Sequence, residues 1–181
     1  MNEIVSKTSF KKYQEEVEQI LAKYPADFKR SAIMPLLYIA QRERGYVTRE
    51  AMAEIAQICE VATTEVASVA GFYSLYYEEP HGRYHIQICN DLPCAMRGAD
   101  EYLKKVCEYL GIGLGETSPD GLFTVEAVKC LAACHRAPMF QVQGDGDIIY
   151  VEDQTIEKTI EWIESVRARV KAEKNAEKGV A

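Results

Sequence analysis

Residues 83–94 read RYHIQICNDLPC, and this stretch decides the fold of the second half of the chain. Its first seven residues alternate in polarity and are rich in aromatic and β-branched types, which is typical of a β-strand. The predicted strand ends at Cys89, and Cys94 follows in the loop beyond it. A strand that ends in a cysteine pair is an arrangement that can present two thiols at the edge of a sheet.

Residues 122–134, which read LFTVEAVKCLAAC, repeat this arrangement with a predicted strand followed by two cysteines. Two neighbouring strands of one sheet would bring both pairs to the same edge, where four thiolates converge. A [2Fe–2S] cluster needs two such ligands on each iron. The sequence therefore predicts one [2Fe–2S] cluster and no catalytic residue, with the ligands Cys89, Cys94, Cys130 and Cys134.

Other cysteine chemistries fit these spacings less well. Structural zinc also takes four cysteines, but its usual pairs are C-x2-C-like, and a thioredoxin-type redox enzyme needs C-x-x-C at the start of a helix. The four-iron and plant-type ferredoxin patterns are absent from the sequence. His135 directly follows a predicted ligand and could replace a thiolate as in Rieske centres, although four cysteines are already available. A zinc-stabilised interaction module thus remains an alternative.

The predicted cluster carries a net negative charge that grows by one on reduction, and burying it requires hydrogen bonds or nearby cations. Three cations lie close to the cysteines in sequence, namely Lys129, Arg97 and Arg136. The remaining cysteines, Cys59 and Cys107, fall on apolar faces of predicted helices, where free thiols behave as small hydrophobic groups, so we expect both in the core. His81 and His85 are expected to be structural or exposed.

Composition limits the class of protein. The 181 residues carry a formal net charge of −7, which argues against nucleic-acid binding because phosphate recognition needs clustered Lys and Arg. There is no secretory signal pattern, and no apolar run approaches the roughly 20 residues that span a bilayer. Six cysteines in such a chain favour metal binding or redox work over disulfides. A cytoplasmic location is expected, without membrane insertion.

The predicted fold class is α+β, with a helical bundle over residues 1–80, a thioredoxin-like domain over 81–166 and a charged tail over 167–181. We expect this tail to be a frayed, solvated helix or a disordered segment. The bundle is predicted from four helical patterns with short loops. Pro35 is expected in a first turn or at a kink, Gly45 at a helix end, and Thr48 and Thr63 as N-caps. The second half shows the order β-α-β-β-β-α, with a hairpin signal at residues 144–146 and a last helix beginning at Thr155.

These motifs resemble the small [2Fe–2S] subunit of NADH:quinone oxidoreductase, respiratory complex I. The matching features are C-x4-C at 89–94, a gap of 35 residues, C-x3-C at 130–134, and the surrounding CLAACHRAP of residues 130–138. AQRERGYV at 40–47 and VAGFYS at 69–74 are also similar to stretches of that family. The resemblance covers roughly residues 10–165.

The resemblance implies a helical N-terminal bundle joined to a thioredoxin-like ferredoxin domain, in an electron-transfer subunit without catalysis of its own. It implies a partner flavoprotein subunit that binds FMN and NADH and carries a four-iron cluster, in a complex on the cytoplasmic face of the inner membrane. The same module occurs in NAD(P)-linked hydrogenases and formate dehydrogenases, which remain an alternative.

The chain departs from the family pattern at two positions. Ala132 stands where the family commonly has Gly, so we expect no positive φ there. Gln143 precedes a Gly-Asp-Gly turn where the family usually has an Asn-containing turn. Neither change removes a predicted ligand.

Overall fold

The computed structural model describes residues 9–178, with side chains from 10 to 176. The chain divides into two compact units, Met1–Pro80 and His81–Ala181, and each is described by itself. In the first unit, two 3-10 turns (Ser9–Tyr13 and Ala26–Ala32) accompany four α-helices, which are α1 (Gln14–Leu21), α2 (Ile33–Arg44), α3 (Arg49–Cys59) and α4 (Thr63–Phe72). Their apolar faces meet in one core that includes Val17, Leu36, Leu37, Ile55 and Val66.

Local sequence signals set most helix ends in this unit. Pro35 lies in the first turn of α2, and Gly45 ends that helix with a φ of +82°, both as predicted. The Thr48 hydroxyl accepts a hydrogen bond from the backbone of α3 and caps it. The prediction that Thr63 caps α4 is wrong, because Ala62 is the N-cap and Thr63 is the first helical residue.

The second unit is a four-stranded sheet with helices, which confirms the predicted class, and its elements follow the predicted order except for one additional short helix after the first strand. Its elements are β1 (Tyr84–Cys89), α5 (Leu92–Ala95), α6 (Ala99–Leu110), β2 (Phe123–Val128), β3 (Phe140–Gly144), β4 (Asp147–Val151) and α7 (Ile156–Lys178). The strand order is β2-β1-β3-β4. β1 runs parallel to β2 and antiparallel to β3, and β4 returns along β3.

The alternation of side chains along β1 gives the sheet two different faces. Ile86 and Ile88 pack with α6 and α7 in the main core of this unit. The intervening His85 and Gln87 are also buried, and Gln87 accepts a hydrogen bond from Gln141 Nε2 at 2.8 Å. Cys89 lies on the same side of the strand as His85 and Gln87, because residues two apart in a strand point to the same side.

The turn between β3 and β4 is the predicted hairpin. Asp145 and Gly146 both have positive φ, as a two-residue type I′ turn requires. The Asp145 carboxylate accepts hydrogen bonds from Tyr84 Oη (2.5 Å), Arg83 Nε (2.7 Å) and Arg169 Nη2 (3.2 Å). The hairpin turn is therefore bound to the start of β1 and to α7.

Helix α7 extends further than the sequence pattern indicated. We expected a frayed helix or disordered tail from Arg167, but the helix continues to Lys178, and residues 179–181 lie outside the described part. Val170 is buried in the core, and Arg167 Nε pairs with Asp120 Oδ2 at 2.8 Å. These contacts offset the low apolar content of the segment.

Gly144 allows β3 to approach Tyr84, and we expect Gly144→Ala to destabilise the second unit by about 1–3 kcal/mol. A Cβ there would overlap Tyr84 Cδ1 and would lie 3.0 Å from the Arg83 carbonyl oxygen. Tyr84 is buried and its hydroxyl is bonded, so its ring has little room to move. The measurement is urea-induced unfolding followed by circular dichroism.

The matched control is Gly71→Ala in α4, where the nearest atom to the new Cβ is Glu78 Oε1 at 3.7 Å. This variant should keep or slightly raise the urea concentration at the midpoint of unfolding, since Ala is a better helix former than Gly. A wild-type midpoint for Gly144→Ala would contradict the steric argument.

Candidate metal centre

The cysteine pairs meet at the edge where the parallel strands β1 and β2 end. Cys89 is the last residue of β1 and lies opposite Val128, the last residue of β2, so Cys130 follows two residues beyond the same edge. The Asn90 backbone N–H donates to the Val128 carbonyl at 3.1 Å and extends the pairing past Cys89. The predicted common edge is therefore present.

Cys94 lies in a helical turn rather than in the loop that we expected. The Asp91 carboxylate caps α5 by accepting a hydrogen bond from Leu92 N at 3.0 Å, and Pro93 suits the first turn because its missing N–H is not needed there. This short helix turns the chain back so that Cys94 is buried beside the end of β1.

The second cysteine pair occupies a loop with unusual backbone conformation. Cys130 has a φ of +28° and Ala132 a φ of +59°, and Cys134 opens a 3-10 turn, Cys134–Arg136. The expectation that Ala132 needs no positive φ is wrong. The chain keeps the left-handed turn and accepts an alanine in it, which costs about 1–2 kcal/mol relative to a right-handed conformation.

Three of the four thiols are close together in the structure. The Cys94 thiol interacts with the thiols of Cys89 and Cys134, while the Cys130 residue is exposed. Burial, together with these two neighbouring thiols, raises the pKa of Cys94 to about 12. Within residues 9–178, no group of three or more His, Cys, Asp or Glu side chains is arranged as a ready site for a single metal ion.

An apolar cluster contains three of the four thiols. Its buried members are Cys89, Cys94, Ala99, Ala133, Ala137 and Met139, with Leu131 and Cys134 packed against them. Alanine, leucine and methionine side chains make this side of the site apolar. A charge placed here must therefore be stabilised by backbone N–H groups and by cations at the rim.

The three cations near the cysteines have different partners. Arg136 pairs with Glu152 Oε2 at 3.1 Å and with Asp153 Oδ2 at 2.8 Å. Lys129 and Arg97 instead donate to uncharged oxygens, at 2.8 and 2.9 Å respectively. The acceptor for Lys129 is the side chain of Asn90, which was not predicted as part of the site, although its position directly after Cys89 is a usable signal.

The other cysteines and the histidines differ in their burial and in their partners. Cys59 is buried in the first unit, as predicted, and burial raises its pKa to about 11. Cys107 is only half-buried on α6, so its placement in the core was partly wrong. His85 Nε2 lies 3.2 Å from Glu126 Oε2 and is structural, as expected, while His135 is exposed.

A thioredoxin-like layer with paired thiols at one sheet edge defines an iron–sulfur protein rather than a disulfide enzyme. The sequence profile of the thioredoxin-like [2Fe-2S] ferredoxin family matches residues 17–167. The chain belongs to this family, which makes it a redox protein whose cofactor is a [2Fe–2S] cluster. The donor set fits this group, since it offers soft thiolates in two pairs on adjacent loops.

Individual relatives confirm the predicted resemblance. NADH-quinone oxidoreductase subunit 2 of Thermus thermophilus is 47% identical over 132 residues, which is 73% of each chain. A subunit of the NADH-quinone oxidoreductase of Rickettsia bellii is 38% identical over 169 residues, or 92% of this chain and 99% of the relative.

Among solved structures, an NAD+-reducing [NiFe]-hydrogenase in the air-oxidised state superposes with a TM-score of 0.60 at 21% identity, over 75% of this chain and 23% of that chain. This likeness supports the fold alone. Over residues 9–178, none of the helices combines the length and the apolar character that crossing a membrane requires.

Ala132 provides a test of the loop conformation. We expect Ala132→Gly to stabilise the protein by up to about 1 kcal/mol, because Gly adopts a φ of +59° without the Cβ clash. The neighbouring Ala133→Gly is the matched control, since Ala133 has a φ of −119° and its methyl group is buried. That variant should lose stability. Equal losses in both variants, measured by thermal unfolding, would contradict the left-handed conformation of Ala132.

Proposed function

We propose that this chain is the electron-transfer subunit that carries a [2Fe–2S] cluster beside the FMN- and NADH-binding flavoprotein subunit of an NADH:quinone oxidoreductase. The main support is the burial of the Cys94 thiol against Cys89 and Cys134 at the shared end of two parallel strands. The names of the two bacterial relatives support the same role.

The proposed ligands are Cys89, Cys94, Cys130 and Cys134. When bound, the cluster accepts and releases one electron at a time. The chain's own residues hold the thiols in two pairs, exclude water on the apolar side and place cations at the rim. In this arrangement the protein has no substrate to bind and no proton to move, so we expect no catalysis by the isolated chain.

Nicotinamide and flavin chemistry is assigned to the partner. The sequence has no Gly-rich dinucleotide fingerprint of its own. A flavin on a partner subunit, which also carries a four-iron cluster, would take hydride from NADH and pass electrons singly to the cluster of this chain. The net charge of −7 fits an association with protein rather than nucleic acid. In such a complex the chain would be peripheral, on the cytoplasmic face of the inner membrane.

The alternative host is an NAD(P)-linked hydrogenase or formate dehydrogenase, which would use the same module in the same chemical role. The neighbouring genes separate the two proposals. Genes for quinone-site and proton-pumping subunits favour the quinone oxidoreductase, whereas a hydrogenase or molybdenum subunit would contradict it. A zinc-stabilised module would purify as a colourless protein without iron or sulfide.

Cysteine substitutions test the proposed ligand set. We expect Cys94→Ser and Cys130→Ser to lower or abolish the iron and sulfide content of the anaerobically purified protein, because each replaces a soft thiolate with a poor ligand. Visible absorption and the EPR signal after reduction provide the measurement.

Cys59→Ala and Cys107→Ala are the matched controls and should retain the metal content of the wild-type protein, with only a modest loss of packing. Loss of the cluster in Cys107→Ala, or its full retention in Cys94→Ser, would show that the ligand assignment is wrong.

Reduction by NADH tests the proposed partner. The isolated chain should show no reduction of its cluster by NADH, since no residue of it is expected to bind flavin. After co-purification with the flavoprotein whose gene lies beside its own, NADH should produce the reduced EPR signal. A chain that is reduced by NADH alone, or that fails to associate with that flavoprotein, would contradict the proposed role.

A further inference from the structure

Lys129 connects the second cysteine loop to the first. It directly precedes Cys130, and its Nζ donates to Asn90 Oδ1 at 2.8 Å. Asn90 directly follows Cys89, so a single hydrogen bond joins residues that are adjacent in sequence to one cysteine of each pair. The Asn90 amide also donates to Asp100 Oδ1 at 3.3 Å, which fixes its orientation from a second side.

Arg97 makes the reciprocal connection from the first loop to the second. It lies three residues after Cys94, and its Nε donates to the carbonyl oxygen of Ala137 at 2.9 Å. Ala137 lies three residues after Cys134 and is a buried member of the apolar cluster that contains the thiols. The two bonds therefore run in opposite directions between the same two segments, one beside each pair of cysteines.

The oxygen atoms that accept hydrogen bonds from Lys129 and Arg97 are both uncharged. The Asn90 amide and the Ala137 carbonyl orient the cations without cancelling their charge, whereas Arg136 is paired with two carboxylates. A fixed positive charge lowers the free energy of a more negative state more than that of a less negative one. A [2Fe–2S] centre gains one negative charge on reduction, and its potential responds to local charge.

We propose that Lys129 and Arg97 are positioning residues that join the two cysteine loops and, through their charge, favour the reduced state of the cluster. This inference rests on the ligand set proposed above. It assigns roles to two residues outside that set, each of which is joined to the opposite cysteine segment by one hydrogen bond.

The test is an EPR-monitored redox titration of the full-length protein at low ionic strength, where charges at the surface are least screened. For Lys129→Met and for Arg97→Met we expect the equilibrium constant for reduction to fall about threefold to tenfold, where tenfold corresponds to about 59 mV for a one-electron couple. Lys129→Arg and Arg97→Lys keep the charge and should stay within about twofold of the wild-type value. High salt should reduce the shifts of the two methionine variants.

The matched control is Lys171→Met, which removes an exposed lysine from α7. This residue lies two positions after Arg169, which contacts Tyr84 at the start of β1, whereas Cys89 ends that strand. Lys171→Met removes one positive charge, as the other two methionine variants do, but near the opposite end of β1 from Cys89. It should therefore leave the reduction potential of the cluster unchanged.

Cluster retention is a second measurement, which remains possible when a variant acquires too little cluster for a redox titration. Iron loss to a chelator should be faster in Lys129→Met and Arg97→Met than in Lys171→Met. A Lys129→Met protein that acquires no cluster, beside a Lys129→Arg protein that does, supports the inference.

Potentials equal to that of the wild type in both methionine variants overturn the inference, whatever the rate of iron loss. If neither Lys129→Met nor Lys129→Arg acquires a cluster, the inference is also overturned, because restoring the positive charge with Arg would then not restore cluster binding. A wild-type protein without iron and sulfide would instead refute the proposed function, so the two failures are distinguishable.

Discussion

The parallel pairing of β1 with β2 is the constraint on which the site depends. Cys89 lies close to the second cysteine loop because β1 ends opposite Val128, which brings the loop after β2 to the same edge. β1 also pairs with β3 on its other side, so its register is set by two neighbours. A slip of one residue would turn Cys89 to the opposite face and would separate it from the second cysteine loop. The hairpin bound to Tyr84 and the long helix α7 stabilise this register from the far end of the sheet.

The site combines two opposing requirements. Exclusion of water protects the metal centre, but an apolar pocket is a poor environment for a negative charge. The raised pKa of Cys94 reflects this, because the buried thiol is protonated at neutral pH in the absence of metal. Metal binding at such a site must displace that proton, so ligation and protonation are linked. Under the inference drawn above, Lys129 and Arg97 would lower the cost of burying that charge from outside the apolar cluster.

Local signals in the sequence were sufficient for the class of fold and for the common sheet edge at which the two strands before the cysteine pairs end. Strand alternation, the Gly-Asp-Gly hairpin and the caps at Gly45 and Thr48 each depend on a few neighbouring residues, and each formed as predicted. The errors concern features that depend on distant contacts. The order of α7 beyond Arg167 needs Asp120 on another segment, and the left-handed Ala132 is imposed by the loop around it. The link between Lys129 and Asn90 joins residues 39 positions apart, which spacing alone could not reveal.

The two cysteine pairs differ in their exposure, and this difference bears on how the centre would be damaged. Cys89 and Cys94 are buried beside a central strand, whereas Cys130 is exposed in a loop with a strained backbone. Dissolved oxygen or a competing chelator would therefore reach the Cys130 side first. The residue-130 loop is therefore the side that is open to such attack. The end of β1 would keep Cys89 and Cys94 in place, so that a new cluster could bind there after damage.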